Sequence, residues 1–263
     1  MASLRVVVAG ATGKMGREAV IALSNAPDME LVGATCRQDR GPYLEVPDTS
    51  EKVPLGTDLE AILDSTKPEI LVDFTTASSV MASAPICAQR GVHLVTGTTG
   101  LLEEDFSRLE AIAKERGVGI VVAANLSIGG VLLVHLVKKA APYFDYVDVV
   151  ETHHEAKIDA PSGTALVIVN AITQGREYRR NVTEKENIAN VRGGEQGGVG
   201  VHSIRMAGRV AHHEVIMGMA GQALTLRHDM ISRDCCMPGM LLAIREVGKL
   251  GRLVVGLDKI MGL

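Results

Sequence analysis

Short apolar runs alternate with longer amphipathic stretches through the first half of the chain. Leu4–Ala9 is rich in β-branched residues and shows no polar alternation, the pattern of a strand buried on both faces. Residues 14–25 then carry Met15, Ala19, Val20 and Leu23 at helical spacing. The alternation continues with strands expected at 30–35, 69–74, 93–95 and 118–123, and helices at 58–65, 78–90 and 103–116. Residues 37–53 are polar, contain Gly41, Pro42 and Pro47, and read as loop. Strands separated by helices make a parallel sheet with helices on its faces.

The pattern changes near residue 126. A helix is expected at 128–141. Residues 146–154 alternate, which puts Val147, Val149, Glu151 and His153 on one side of a strand. A helix follows at 163–173. Five glycines in 193–200 require a loop or tight turn. Residues 202–206, 214–219 and 223–229 read as strands joined by turns and expected to run antiparallel, and 240–247 as a helix. The fold class that follows is α/β: a Rossmann-type doubly wound parallel sheet, then an α+β domain with a mixed or antiparallel sheet.

The 263 residues hold 27 Lys and Arg against 31 Asp and Glu, a formal charge of −4, and 46% are apolar, which excludes a disordered chain. The longest apolar run, residues 128–137, contains His135 and stops at Lys138-Lys139, well short of the ~18 residues of a membrane span. The first five residues lead into a strand-like run without the layout of a signal peptide, so a cytoplasmic location is expected. There is no basic run or aromatic platform for nucleic acid. Cys36, Cys87, Cys235 and Cys236 form no CxxC pair and read as free thiols. Adjacent His153-His154 and His212-His213 lack an acid or Cys at ligand spacing, so no metal is expected, and His93, His135, His202 and His228 read as structural.

Gly10, Ala11, Thr12, Gly13, Lys14, Met15 and Gly16 lie between the first strand and the first helix, the context that a dinucleotide fingerprint requires. The spacing is GxxGxxG. Glycine lets the backbone turn sharply and approach a pyrophosphate, whose charge rests on free N–H groups at the helix start. The second strand ends in Cys36, where an acid for the adenosine ribose is usual, followed by Arg37, whose guanidinium suits a 2′-phosphate. NADPH, preferred over or alongside NADH, is the expected cofactor. Three more segments close parallel strands at the same sheet edge: Phe74 and Thr75, then Gly97, Thr98 and Thr99, then Ala124, Asn125 and Leu126.

Residues 151–164 carry the most chemistry. Pro161 sets a turn and Ser162 is a good helix N-cap. The N–H groups of Gly163 and Thr164, with the two hydroxyls, suit a carboxylate or phosphate, and Lys157 adds a positive charge upstream. His153 and His154 supply a group that donates a proton near neutral pH.

The glycine loop, Asp73-Phe74-Thr75, Gly97-Thr98-Thr99-Gly100, Ala124-Asn125-Leu126-Ser127 and His153-His154 with Lys157 and 159–165 occur in the order found in the dihydrodipicolinate reductase family, which the chain resembles over its whole length. Residues 201–205, 211–215, 227–229, 237–239 and 256–259 continue the likeness. The resemblance implies His153 as proton donor and Lys157 as its catalytic partner. It implies His154, Ser162, Gly163 and Thr164 as substrate-carboxylate ligands, with Arg233 a further substrate residue. It implies a cofactor domain of residues 1–125 onto which 234–263 packs, and a hinged substrate-binding and oligomerisation domain of 126–233 that builds a homotetramer through its sheet. The implied reaction is NAD(P)H-dependent reduction of a cyclic dicarboxylate, docked between the domains, in the diaminopimelate route to lysine. Departures are Cys36 at the ribose position, Leu126 where an aromatic is common, and Cys235-Cys236 before Met237. The residue types themselves also admit a reductase of another cyclic imine or enamine acid, or a cofactor-binding sensor without turnover.

Overall fold

A computed structural model describes residues 3–47 and 49–263. Met1 and Ala2, in the expected lead-in to the first strand, and Asp48, in the expected loop, lie outside the described residues. The chain divides into two compact units, one of residues 1–128 and 233–263, the other of residues 129–232.

The first unit begins with β1 (Leu4–Ala9), α1 (Lys14–Ser24), β2 (Met29–Thr35), β3 (Tyr43–Glu45), β4 (Lys52–Gly56) and α2 (Leu59–Thr66). It continues with β5 (Ile70–Asp73), α3 (Ala77–Gln89), β6 (His93–Thr96), α4 (Glu103–Arg116) and β7 (Ile120–Val122). The second unit holds α5 (Ile128–Ala140), β8 (Tyr146–His153), α6 (Gly163–Thr173), β9 (Gly194–Gln196), β10 (Val199–Arg205), β11 (Ala211–Met219) and β12 (Gln222–Met230). The chain then returns to the first unit as α7 (Met237–Val247), β13 (Leu253–Val255) and α8 (Leu257–Met261).

The first sheet has the order β13-β7-β6-β5-β1-β2-β4-β3 and is parallel except where β3 meets β4. Val6, Val7 and Val8 of β1 are fully buried, as a central strand covered on both faces requires. The chain first builds outward from β1 through β2 and β4, then crosses to β5 on the other side. The carboxyl ends of β1 and β5 therefore flank the switch point at which doubly wound sheets bind ligands. Arg245 of α7 forks onto Asp28 at 2.7 and 2.9 Å, and β13 extends the sheet beside β7.

The expected loop at 37–53 is corrected: it contains β3 and leads into β4. Three and five residues are too few to show a period, and Pro42, Pro47 and Pro54 mask it. Pro42 and Pro47 are tolerated because they flank β3, the edge strand. The three-residue β13 and five-residue α8 escape pattern reading for the same reason.

The second unit's sheet has the order β12-β11-β8-β10-β9. In β8, burial alternates strictly, with Val147, Val149, Glu151 and His153 on the buried side. Val147, Val149, Val215 and Met217 pack with Leu133 and Val137 of α5 and Ile168, Val169 and Ile172 of α6. The expectation of antiparallel strands holds for β11 with β12 and with β8, but β10 runs parallel to β8. The long connection carrying α6 permits that crossover. The loop or tight turn expected at 193–200 is the tight turn of a hairpin. Gly197 and Gly198, both at positive φ (+59° and +79°), turn the chain between β9 and β10.

Candidate active site

In the first unit, four connections at the carboxyl edge of the sheet carry the expected cofactor residues. Gly10 leaves β1 at φ +77°, and a Cβ on Gly16 would lie 2.1 Å from the Gly10 carbonyl oxygen, so the turn closes only without side chains there. Gly13 precedes α1 with no side-chain cap. The first N–H groups of that helix, at Lys14, Met15 and Gly16, thus lack an intrahelical acceptor, the arrangement that receives a pyrophosphate. These features fit a dinucleotide. Thr12 is half-buried and Ala11 buried, whereas Lys14 is exposed.

Phe74, Gly97 and Leu126 converge. A Cβ on Gly97 would lie 2.6 Å from the Phe74 ring and 3.1 Å from Leu126 Cδ1. Asp73, fully buried at the end of β5, ties two of these loops together. Its Oδ1 accepts from Thr75 N–H at 2.9 Å, Thr75 Oγ1 at 2.8 Å and Thr98 Oγ1 at 3.2 Å. Burial raises its carboxyl above the ordinary value, against the pull of those donors. Asn125 Oδ1 takes Ser127 N–H at 2.9 Å, while Thr99 and Ala124 are exposed. Asp73 was visible in the sequence, but its role as a tie between loops depends on a partner 25 residues away.

Beside the glycine loop lies a cavity of about 440 Å³ lined by Ala11, Thr12, Arg17, Arg40, Tyr43 and Leu55, among others. Arg40 and Arg17 reach this cavity, and Arg37 is exposed on the loop outside its lining. Cys36 is buried and its thiol donates to the Gln38 carbonyl at 3.0 Å, so it does not stand in for a ribose-binding acid.

In the second unit, β8 and the turn before α6 bring His153 and Ser162 together around Glu151. Glu151 and His153 are two residues apart on a strand and so share a face. His153 Nδ1 bonds Glu151 Oε2. Arg205 of β10 forks onto the same carboxylate, Nη1 to Oε2 at 2.9 Å and Nη2 to Oε1 at 2.8 Å, and Ser162 N–H donates to Oε1 at 3.2 Å. Burial works to raise the Glu151 carboxyl, but Arg205, Ser203 and His153 together hold it at about 2. Burial pushes the His153 imidazole below its ordinary value; Glu151 opposes this, and Lys157 and Arg205 add to it.

Ser162 caps α6, its Oγ accepting Ala165 N–H at 3.2 Å and sharing a 3.2 Å bond with His213 Nε2. Ser162 is only 2% exposed, and its hydroxyl is held by these two bonds. The exposed Gly163 and half-buried Thr164 remain at the helix start. His213 stacks edge-on against His153 (centroids 5.3 Å, 77°), and burial holds it down at about 4. Lys157 Nζ reaches Asp159 Oδ1 at 2.7 Å, so its charge is already partnered. His154 is exposed just past β8. Arg233, also exposed, opens a 3₁₀ turn that belongs to the first unit. Glu151, Arg205 and His213 carry the site's polar network; the sequence puts Glu151 on one face with His153 but gives none of the three a role in the site.

Among the described residues no group of three or more His, Cys, Asp or Glu could hold a metal ion, and no helix is long and apolar enough to cross a membrane. His202 and His93 make strand-to-strand and turn bonds, to Asp148 at 2.8 Å and from Gly119 N–H at 2.9 Å.

Family models described as dihydrodipicolinate reductase, N-terminus and C-terminus, match residues 4–126 and 129–261. A 4-hydroxy-tetrahydrodipicolinate reductase of Dehalococcoides mccartyi is 44% identical over 263 residues, covering all of both chains. One from Desulfitobacterium hafniense is 41% identical, over 99% of this chain and all of that one. The solved structure of a dipicolinate-bound dihydrodipicolinate reductase from Paenisporosarcina sp. TG-14 superposes with a TM-score of 0.88 at 36% identity, covering 98% of this chain and 99% of that one. An amine dehydrogenase from Mycobacterium smegmatis, at 16% identity and TM-score 0.66 over 97% and 95% of the two chains, shares the fold.

Proposed function

Since the chain belongs to the dihydrodipicolinate reductase family, we propose that it reduces 4-hydroxy-tetrahydrodipicolinate to tetrahydrodipicolinate with a nicotinamide cofactor, in the diaminopimelate route to lysine. The observation that carries this reading is the grouping on one unit of an imidazole, an ammonium and the amides at the start of a helix, the set that a reducible dicarboxylate needs. In this reading the bound nicotinamide supplies the hydride.

The chain's own residues supply the rest. The glycine loop and the N-terminus of α1 hold the pyrophosphate. Arg37, assisted by Arg40 and Arg17, takes the 2′-phosphate and favours NADPH over NADH. Phe74, Thr75, Gly97, Thr98, Thr99, Ala124, Asn125 and Leu126 line the remainder of the cofactor site. Lys157, His154 and the amides of Gly163 and Thr164 bind the substrate carboxylates, with Arg233 contributing a further charge. A substrate carboxylate exchanges with Asp159 at Lys157.

His153 donates the proton to the ring carbon beside the one that accepts hydride. In the free protein the imidazole is held toward its neutral form. A dianionic substrate beside it favours the charged form, so substrate binding recruits the proton that the reaction consumes.

We assign residues 1–125 with 234–263 to the cofactor and 126–233 to substrate and assembly. The sheet of the second unit has one face covered by α5 and α6. Its other face exposes Ile204 (43%) and Ile216 (38%) with Val150 between them, a surface suited to the homotetramer of this reading. Light scattering on the purified protein tests the tetramer.

The activity test follows absorbance at the reduced-nicotinamide band, with substrate generated in situ. Rapid oxidation is the expected result. Tight NADPH binding without oxidation would overturn it and leave a sensor, or a reductase of another cyclic imine acid.

A further inference from the structure

The buried polar cluster around His153 does more than surround a proton donor. Glu151 is wholly inaccessible to water and accepts from three elements at once: His153 on its own strand, Arg205 on β10 and Ser162 N–H at the start of α6. An ionised carboxylate accepts and does not donate, so its bond to Nδ1 requires the proton on that nitrogen. The neutral ring is then the Nδ1–H tautomer, and Nε2 is the nitrogen left to gain and release a proton. Arg205 is the residue paired with His153 across β8 and β10, so the strand register itself brings the guanidinium to the carboxylate. The edge of His213 closes one side of the ring. Because Oε1 also holds Ser162 N–H, one carboxylate fixes the spacing between the imidazole and the amides of α6.

We propose that Glu151, anchored by Arg205, is the positioning residue of His153: it fixes the Nδ1–H tautomer, presents Nε2 to the substrate, and sets the donor's place relative to the anion-binding start of α6. This rests on the reductase reading above. In the step it serves, the Nε2–H bond of the imidazolium breaks as a C–H bond forms on the ring receiving hydride. His153 is left neutral with Nδ1–H still on Glu151, and Glu151 stays ionised throughout.

The charged and titratable groups facing His153 are Glu151 on β8, Lys157 in the following turn, Arg205 on β10 and His213 on β11. Glu151→Gln removes the single negative charge among them. The expected result is a kcat lower by roughly 10- to 10²-fold, with KM for substrate changed less than about threefold. The pH at which kcat/KM declines moves lower, and Glu151→Asp recovers part of the rate. A merely structural role predicts a lower Tm with kcat and the pH profile unmoved, and that result overturns the proposal. Should the Gln variant fail to fold, imidazole nitrogen NMR of the native protein decides. At a pH where His153 is neutral, the proton must sit on Nδ1, and a spectrum with it on Nε2 overturns the proposal without reference to turnover. A native protein that oxidises no cofactor defeats the reductase reading instead, and the tautomer measurement stands apart from it.

Discussion

Arg205 closes both terminal nitrogens on the Glu151 carboxylate, at 2.8 and 2.9 Å, in a pair whose acidic member is fully buried. Removing one member of such a pair leaves an uncompensated buried charge and costs on the order of 3 kcal/mol. Arg205→Ala is therefore expected to lower the urea midpoint markedly at neutral pH. The pair also fixes the acid response. The Glu151 carboxyl sits at about 2 when folded and near its ordinary 4.5 when unfolded. Its contribution to stability is thus complete above about pH 4.5 and is lost as pH falls toward 2. Urea midpoints measured from pH 6 down to 2.5 should fall in the native protein, and the fall should be much shallower in Arg205→Ala.

His153→Gln is expected to lose roughly 10²-fold or more in kcat with a smaller change in KM, because it removes a group needed in the transition state. Lys157→Ala should damage both, since its charge meets ground state and transition state alike. The pH dependence has a definite sign. The free imidazole is held below its ordinary 6.5, first by burial and then by Lys157 and Arg205. A protonated donor is required, so kcat/KM should decline as pH rises through a value under 6.5. The decline in kcat should lie at higher pH, because bound dianion favours the charged ring. Steady-state profiles in both parameters check this.

Strict alternation makes β8 readable, and it places Glu151 beside His153 from the sequence alone. The cap at Ser162 was equally readable, because Ser before an apolar helix is a local signal. What the carboxylate does was not readable. Its decisive partner, Arg205, is 54 residues away and arrives through a parallel pairing that no local pattern announces. The inward turn of the Ser162 hydroxyl depends likewise on His213, 51 residues on. In the first unit, Arg37 stands out by adjacency to β2, but Arg40 is the arginine of that loop that lines the cavity beside Thr12. A cavity wall built by β3 and β4 is a tertiary fact, and both strands were too short to be seen.

Cofactor selectivity follows from the arginines of the loop after β2. Arg37→Ala should weaken NADPH far more than NADH, since only the former carries the 2′-phosphate that a guanidinium recognises. Arg40→Ala should act in the same direction from within the cavity lining. A rise of roughly tenfold in the NADPH/NADH ratio of Kd is the expected scale for one charge-assisted contact. Fluorescence titration of both cofactors against native and variant protein checks it, and an unchanged ratio in Arg37→Ala would remove that residue from phosphate recognition.

Ser162→Ala separates capping from substrate binding. The hydroxyl satisfies Ala165 N–H and His213 Nε2 from a site that is 2% exposed. Its loss frees an N–H at the start of α6 and leaves a buried ring nitrogen without its bond, together costing about 1–2 kcal/mol. His213 is held at about 4 and stays neutral at working pH, so no buried charge is exposed by the change. The Ser162 N–H that holds Glu151 belongs to the backbone and survives the substitution. Tm should therefore fall clearly, while KM for the dicarboxylate changes little, because Gly163, Thr164 and Lys157 keep their amides and charge. A large rise in KM with an unchanged Tm would mean that the hydroxyl turns outward to the ligand, and that the inward bond to His213 is broken on binding.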